Sequence, residues 1–381
     1  MVTLNPSLSR NTARRQVRVR RTSVVVDQTR ATVERAIADI AAGRPVLIFD
    51  STRDEGALAF AAQCATSALL AFLIRYGSGV VCVPIEGERL DQLALPPMCP
   101  QNSEPRQTQF TVSVDARVGI TTGISAADRA HTIRTLVGSA TTAYDLSRPG
   151  HVFPLRYRAG GVLRHPQYGE GIVDLARLAR LTAAGVFCEV ISSDGTLAHS
   201  AELHHFCAQH GLQLASIADV AGYRVRTEKQ VHRATGARLP TKHGEFRAVG
   251  FTSYIDGCDH VALIHGEVHD RHDVLVHVHN ECLTGDVLGS LSCECSAQLD
   301  AALRAVASQG RGVIIYMRGA DSITHDDTRS TSGMRDVVTA AQMLLDLDVR
   351  GVQLLAPQPE VVQVFANYGL RVVEAREADR S

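Results

Sequence analysis

The 381-residue sequence contains no tryptophan and only two lysines, Lys229 and Lys242, so arginine carries nearly all of its positive charge. A catalytic lysine therefore has only two candidates. The formal net charge of −1 argues against a general polyanion-binding surface, although local phosphate sites remain compatible with it. No apolar run reaches the length of a membrane span, and no signal peptide is visible. We expect a cytoplasmic protein that binds neither nucleic acid nor membranes.

The nine cysteines show no disulfide-like spacing, but Cys282, Cys293 and Cys295 lie close together in the sequence. They follow an alternating, strand-like run at 274–278 and lead into helical spacing at 298–306. Three thiolates leave the fourth position of a tetrahedral zinc site open, which is typical of a catalytic rather than a structural zinc. Unpaired thiols on a loop are the alternative interpretation, because the long gap is not the spacing of a zinc finger.

The first 26 residues contain six arginines and no acidic residue, which predicts a disordered tail over residues 1–27. A nucleic-acid-binding arm and a targeting peptide are the alternatives. Strands and helices alternate roughly over residues 28–225, which is typical of a mixed α/β domain. The charged segment 224–232 is predicted to be the linker to a second domain over residues 226–381.

Three local predictions concern the first domain, two from periodicity and one from the composition of a loop. Residues 57–76 have helical spacing, and residues 110–115 alternate like a half-exposed strand. The loop 119–125 is rich in glycine and small hydroxyl side chains and precedes a helix. A helix N-terminus of this kind can bind a phosphate, so Thr121, Thr122 and Ser125 are candidate substrate-binding residues.

Four longer stretches carry a resemblance to a known family. They are Phe110-Thr-Val-Ser-Val-Asp-Ala-Arg117, the segment 119–129, Arg148-Pro-Gly-His-Val-Phe-Pro-Leu155 and Leu239-Pro-Thr-Lys-His-Gly-Glu-Phe246, together with the cysteine-bearing stretch 279–299. From about residue 30 onwards the chain resembles the bifunctional riboflavin-pathway proteins, in which 3,4-dihydroxy-2-butanone 4-phosphate (DHBP) synthase is fused to GTP cyclohydrolase II. The resemblance implies an α/β (α+β) protein of two domains, a mixed-sheet synthase-like domain followed by a cyclohydrolase-like domain, and a homodimer.

The synthase of this family acts on ribulose 5-phosphate with a magnesium ion held by a Glu and a His. The acidic loop that supplies the Glu is one residue shorter here; Arg53 matches it, and Asp54 or Glu55 can offer the carboxylate. Tyr168 stands in place of the metal-binding His, and His165 in place of a phosphate-contacting Arg, so both are candidate substrate-binding residues. A neutral phenol is a poor ligand for Mg²⁺, so the resemblance does not carry a Mg²⁺ or Mn²⁺ site over intact. The remaining catalytic positions that the resemblance implies are Asp115, His151, Glu170 and Glu189.

The resemblance also strengthens the zinc prediction for Cys282, Cys293 and Cys295. The residues that surround this zinc in the family are largely replaced: His277 stands where an Arg for the phosphates is expected. The loop 318–325 and the turn 356–361 differ from the family pattern, and a block carrying its catalytic Tyr is absent. We therefore expect a truncated, degenerate cyclohydrolase-like domain that keeps zinc but does not hydrolyse GTP.

These expectations define a divergent paralogue, with a lyase-type enzyme in the amino-terminal pocket that acts on a sugar phosphate or another small polar substrate. Two alternatives stay open. The protein could be a non-catalytic regulator or scaffold of flavin metabolism, or an ordinary DHBP synthase of riboflavin biosynthesis.

Overall fold

The computed structural model describes residues 30–254, 257–319, 330–355 and 359–373. The chain divides into two compact units, of which unit 1 ends at Arg224 and unit 2 begins at Val225. The predicted disordered tail over residues 1–27 lies outside the described residues. So does most of the loop 318–325.

Each unit is a mixed α/β structure. The helices of unit 1 are α1 (30–41), α2 Ser67–Tyr76, α3 Gly87–Gln92, α4 Ala126–Val137, α5 Tyr168–Leu178, α6 Ser200–His210 and α7 Ile217–Thr227, the last of which runs past the unit boundary. Its strands are β1 Val46–Asp50, β2 Glu55–Ala61, β3 Cys82–Glu86, β4 Val114–Ala116, β5 Leu146–Tyr157, β6 Gly185–Glu189 and β7 Leu214–Ser216.

The strands of unit 1 form one sheet in the order β4-β5-β3-β6-β2-β1-β7. The pairs β1–β7 and β3–β5 are parallel, and the other pairs are antiparallel. Alternate residues of the central strands enter opposite cores: Leu47 belongs to the core with α2 and α4, whereas Ile48 belongs to the core with α1 and α5. Helices therefore cover both faces of the sheet, which is the layering expected when strands are buried on both sides.

The prediction of one helix over residues 57–76 is wrong for its first part. Residues 55–61 form β2, which pairs with β1 on one side and with β6 on the other, and the helix begins only at Ser67. The alanine-rich sequence of β2 has high helix propensity, but six of its seven residues are buried between the two helical layers. Tertiary burial outweighs a propensity difference of less than about 1 kcal/mol per residue.

Two other predictions need correction. The strand expected at 110–115 is regular only at Val114–Ala116, and Phe110 and Thr111 form isolated bridges. The segment 224–232, predicted as a linker, is helical as far as Thr227 and enters a strand at Val231. Arg224, Arg226 and Glu228 in this segment are only partly exposed, and Arg224 pairs with Asp174, so the charges do not indicate a lack of regular structure.

Unit 2 contains strands β8 Val231–Thr241, β9 Gly244–Ser253, β10 Asp259–His265, β11 Val274–Asn280, β12 Gly312–Met317, β13 Gly351–Leu354 and β14 Arg371–Val373, and helices α8 Cys295–Gln309, α9 Ser330–Asp346 and α10 Pro359–Asn367. The strand order is β14-β13-β11-β12-β10-β9-β8. Strands β14, β13, β11 and β12 run parallel to one another. Strands β10, β9 and β8 continue the sheet beyond β12 with antiparallel pairings.

Side chains of β11 alternate between two cores in unit 2. Val274 and Val276 pack with α9 and α10, and Leu275 packs with α8 on the other face. The predicted two-domain α/β fold class is thus confirmed. In the described part of the chain, no helix has both the length and the apolar character needed to cross a membrane.

Candidate active site and candidate metal centre

Unit 1 contains a cavity of about 210 Å³ where β6 ends and α5 begins. Glu189 is the last residue of β6, and Tyr168 and Glu170 belong to the first turn of α5. Residues of the loop 104–109 also line the cavity. The charged and phenolic side chains that line the cavity are those of Arg53, Glu104, Arg106, Arg156, Tyr157, Tyr168, Glu170 and Glu189. Carboxylates for proton transfer and guanidinium groups for an anion are therefore present in one cavity.

Arg53 and Arg106 neutralise the carboxylates beside this cavity. Arg53 Nε donates to Asp50 Oδ2 at 2.8 Å and lies 3.7 Å from Glu55 Oε2. Arg106 lies 3.6 Å from the same oxygen of Glu55 and donates to Glu189 Oε1 at 3.1 Å. Glu55 Oε2 is buried without a hydrogen-bond partner, because both guanidinium groups remain beyond hydrogen-bond distance. Arg106 thus bridges two of the predicted catalytic carboxylates.

Tyr168 stands beside these ion pairs as a buried phenol. Its ring lies under the guanidinium of Arg53, 4.9 Å from the ring centroid, which fits a cation–π contact. Its hydroxyl is buried without a hydrogen-bond partner. Burial raises the pKa of Tyr168 well above its ordinary value, and Glu55 and Asp50 raise it further against the opposing effect of Arg53. The hydroxyl is therefore protonated at neutral pH and can donate a hydrogen bond to a ligand.

Glu170 is the buried carboxyl group of the cavity. Arg158 Nε donates to its Oε1 at 3.3 Å. Burial raises the pKa of Glu170 above the ordinary value of 4.5, and Arg158 only partly opposes this effect. A carboxyl group with a raised pKa can accept or donate a proton closer to neutral pH, which suits general acid–base catalysis.

The raised pKa of Glu170 predicts a specific pH dependence of stability. Above pH 4.5 the folded state holds this proton more tightly than the unfolded chain does, so the contribution of Glu170 to stability falls as the pH rises through the folded pKa. Glu170→Gln loses this pH dependence. We therefore expect the melting temperature of Glu170→Gln minus that of wild type to increase as the pH rises from 4.5 to 8, measured by calorimetry on the transition of unit 1. Glu88→Gln, an exposed carboxyl group, is the control. A pH-independent difference would contradict the prediction.

Asp54 and His165, two predicted site residues, do not line the cavity. Asp54 has a positive φ of 58°, and this turns its carboxylate towards α6, where Oδ1 accepts a hydrogen bond from Ser200 N at 3.3 Å. His165 is half-buried, and its pKa is lowered by burial and by the neighbouring Arg158 and Arg164. Of the residues in the shortened acidic loop, Arg53 lines the cavity, whereas Glu55 does not.

Asp115 and His151 form a second cluster, which also lies outside the cavity. His151 Nδ1 lies 2.7 Å from Asp115 Oδ2, and His151 N donates to Asp115 Oδ1 at 3.0 Å. The loop 119–125 packs closely on this pair. A Cβ atom on Gly123 would come within 2.2 Å of Asp115 Oδ2, and the φ of Gly123 is +90°, so only glycine fits this position.

Asp128 occupies the amide groups that the sequence suggested as a phosphate site. Thr121 N and Gly123 N both donate to its carboxylate, each at 3.2 Å, and Thr121 Oγ1 donates at 2.7 Å. Ser125 caps α4 by accepting from Asp128 N. Thr122 is exposed in the same loop. A phosphate entering the loop would have to displace this carboxylate, so the arginine-lined cavity is the better place for an anionic ligand.

Unit 2 brings Cys282, Cys293 and Cys295 together. Their sulfur atoms all lie within 4.8 Å of one another, and those of Cys282 and Cys293 are 3.7 Å apart. Neighbouring sulfurs in a tetrahedral site with zinc–sulfur bonds of about 2.3 Å are about 3.8 Å apart. This is the one group of three or more potential metal ligands among the described residues. Both the spacing and the thiolate donor set fit zinc.

Asp286 stabilises the loop between β11 and α8, which carries the cysteine cluster. Its Oδ2 accepts hydrogen bonds from Cys282 N at 3.0 Å and from the Tyr316 hydroxyl at 2.9 Å, and it lies 3.0 Å from His279 Nε2. Gly285 allows the close approach, since a Cβ atom there would lie 2.7 Å from Cys293 Sγ. His279 is engaged with Asp286, so the imidazole orients the loop rather than joining the three sulfurs.

Local hydrogen bonds to the sulfur of Cys282 favour its thiolate form. Thr284 Oγ1 and the Gly285 amide surround this sulfur at 3.4 Å. The hydrogen bond with Thr284 is the main cause that lowers the pKa of the Cys282 thiol, and burial opposes it. Burial raises the pKa of Cys295, whose sulfur shares the same cluster. A thiol with a lowered pKa loses its proton to a metal more readily.

His277 lies on β11, two residues before His279. Its Nε2 is buried without a hydrogen-bond partner. Burial, with a smaller effect of His279, lowers the pKa of His277 to about 4. The side chain is therefore neutral at physiological pH and offers no positive charge to a phosphate.

Arg106 and Glu104, which line the cavity from the loop 104–109, were not predicted from the sequence. No motif marks Arg106, because it reaches Glu55 and Glu189 only through long-range folding. Glu104 accepts hydrogen bonds within its own loop. The backbone of Arg106 accepts a hydrogen bond from Gln167, the residue before Tyr168. This placement could be predicted from sequence only through correlated substitutions between the loop and α5 in related proteins.

Two family models match the chain along most of its length. The model of 3,4-dihydroxy-2-butanone 4-phosphate synthase matches residues 34–223, and that of GTP cyclohydrolase II matches residues 232–377. These matches fall in units 1 and 2, respectively.

Known relatives and a solved structure also match the chain along most of its length. Riboflavin biosynthesis protein RibBA of Salinispora arenicola is 50% identical over 368 residues, covering 90% of this chain and 88% of the relative. RibBA of Nocardia farcinica is also 50% identical, covering 90% and 89%. The crystal structure of RibBX, a two-domain DHBP synthase from A. baumannii, superposes with a TM-score of 0.72 at 32% identity, covering 90% of this chain and 99% of that one.

Proposed function

Because the chain belongs to the riboflavin biosynthesis family that joins a DHBP synthase domain to a GTP cyclohydrolase II domain, we propose that unit 1 is a DHBP synthase. In this proposal it converts ribulose 5-phosphate into DHBP and formate. The cavity of unit 1 is the observation that carries the proposal, because it combines carboxylates, guanidinium groups and a protonated phenol.

The comparisons favour this pathway function over a repurposed enzyme. A divergent paralogue acting on another substrate, the function expected from the sequence, has no support from the comparisons. The relatives that match at 50% identity are riboflavin biosynthesis proteins, and the solved structure at 32% identity is described as a two-domain DHBP synthase. The ordinary synthase, which was one of the alternatives, is thus the better supported function.

The residues of the cavity have separate roles in this proposal. Glu189 and Glu170 move protons at the carbon atoms next to the substrate carbonyl, since both line the cavity and Glu170 has a raised pKa. Tyr168 donates a hydrogen bond to a carbonyl or hydroxyl oxygen. Arg156, which also lines the cavity and forms an ion pair with Asp91, attracts the phosphate.

Unit 2 is proposed to bind zinc through Cys282, Cys293 and Cys295 and to use it to hold the loop between β11 and α8. A bound zinc with an open fourth position supplies an activated water in this family. GTP hydrolysis is not part of the proposal, because His277 is buried and neutral where a cation for the phosphates is expected. A small-molecule substrate and a homodimer complete the proposal.

The synthase proposal is tested by incubating the zinc-loaded chain with ribulose 5-phosphate and measuring formate with a formate dehydrogenase assay. We expect formate in proportion to enzyme, both with and without added Mg²⁺. The comparison variant is Glu189→Gln, which we expect to form much less formate. No formate above a buffer blank under either condition would overturn the proposal and leave the non-catalytic alternative.

A further inference from the structure

The backbone of the loop 104–109 is fixed so that Arg106 faces the carboxylates. Arg106 N donates to Glu104 Oε1 at 2.9 Å, and Arg106 O accepts from Gln167 Nε2 at 2.7 Å. Thr108 N donates to the other oxygen of Glu104 at 2.7 Å. These bonds attach the loop to itself and to the start of α5. The guanidinium of Arg106 is therefore placed by the fold between Glu55 and Glu189.

This arrangement leaves no suitable position for a divalent cation beside Glu55. Glu55 is covered by Arg53 and Arg106, which line the cavity while Glu55 does not. Any ion near Glu55 Oε2 would lie close to two guanidinium groups, whose nitrogens are 3.6 and 3.7 Å from that oxygen. Repulsion between like charges at such distances is several kcal/mol at an effective dielectric constant of about 20.

Tyr168 does not complete a metal site either. Its hydroxyl stays protonated, and a neutral phenol is a weak partner for a cation that prefers carboxylate, carbonyl and water oxygens. The residues of this cavity thus do not fit the magnesium ion that the synthase family implies.

We propose that Arg106 takes the place of the divalent cation in unit 1, so that its guanidinium neutralises Glu55 and Glu189 and the cavity binds a ketose phosphate without Mg²⁺. The proposal deepens the synthase function and rests on it for the identity of the site. In a metal-free cavity, Arg106 and Tyr168 supply the positive charge and the hydrogen bond that would otherwise come from the ion. A guanidinium is suited to this position because it stays charged at every physiological pH.

The test is a titration with Mn²⁺, followed by electron paramagnetic resonance of the free ion, on the full-length, zinc-loaded chain without substrate. Mn²⁺ prefers oxygen ligands and so reports on the carboxylates rather than on the cysteines. We expect wild type to leave Mn²⁺ free, and Arg106→Ala to gain Mn²⁺ binding because Glu189 loses its ion-pair partner and Glu55 keeps only Arg53 beside it. Arg106→Lys, which keeps the positive charge, should behave like wild type.

Each outcome decides the proposal. Stoichiometric Mn²⁺ binding by wild type would overturn it, and so would a failure of Arg106→Ala to gain Mn²⁺ while its circular dichroism matches wild type. The readout does not depend on turnover, so it stays separate from the formate assay. A chain that forms formate only when Mg²⁺ is added would support the synthase function and overturn the metal-free site.

Discussion

Replacing Cys282 by serine is expected to abolish zinc binding and to lower the melting temperature of unit 2, while unit 1 melts as in wild type. A serine hydroxyl is a much weaker zinc ligand than a thiolate, and the sulfurs of Cys293 and Cys295 would be left without their common partner. Structural zinc in small finger domains contributes about 10–16 kcal/mol to folding. Only part of this should be lost here, because the sheet of unit 2 has its own apolar core.

Zinc content by inductively coupled plasma spectrometry and the two calorimetric transitions measure this effect. Cys99→Ser is the matched control, because Cys99 is an exposed free cysteine outside the cluster. The contacts of Asp286 with His279 and Tyr316 involve neither Cys282 nor Cys99, so the difference between the two variants reports on the metal. A Cys282→Ser chain that still carries one zinc per molecule would refute the proposed ligand set.

The second large effect is expected for Glu189→Gln in the formate assay. The substitution keeps the size of the side chain but removes its ability to accept a proton. Loss of a general base typically lowers the rate by about 10²–10⁴-fold. We expect this loss to appear mainly in kcat, with a smaller change in KM, because Arg156 and Tyr168 still contact the substrate.

Glu88→Gln provides the matched control for this prediction, since Glu88 is an exposed glutamate on α3 away from the cavity lining. Glu189 also accepts a hydrogen bond from Arg106, so Glu189→Gln could act by releasing that arginine. Arg106→Lys separates the two effects, because it retains the base and alters the geometry of the cation. Full activity of Glu189→Gln would remove Glu189 from the proposed mechanism.

Several features followed from the sequence because they depend on residues that are close along the chain. The cysteine cluster could be predicted since a strand, a loop and a helix start bring Cys282, Cys293 and Cys295 together. The two-domain α/β fold followed from the alternation of strands and helices and from the family resemblance. Neither prediction required knowledge of contacts between distant segments.

Other features escaped prediction because a contact outside the local pattern decides them. The segment 55–61 has helical propensity, yet it forms a central strand because β1 and β6 flank it. The loop 119–125 has the amides of a phosphate site, yet Asp128 already occupies two of them. In both cases a local pattern was correct as a tendency and was overruled by a partner that the pattern does not contain.

The sequence by itself determined the family, the α/β class and the candidate zinc ligands, because motifs and short-range spacing encode them. Only the tertiary structure decided which polar groups share the cavity of unit 1. It placed Arg106 between Glu55 and Glu189, turned Asp54 away, and separated Asp115 and His151 from the cavity lining. The physical reason is that charge pairing in a folded protein depends on distances of a few ångströms between segments far apart in the chain.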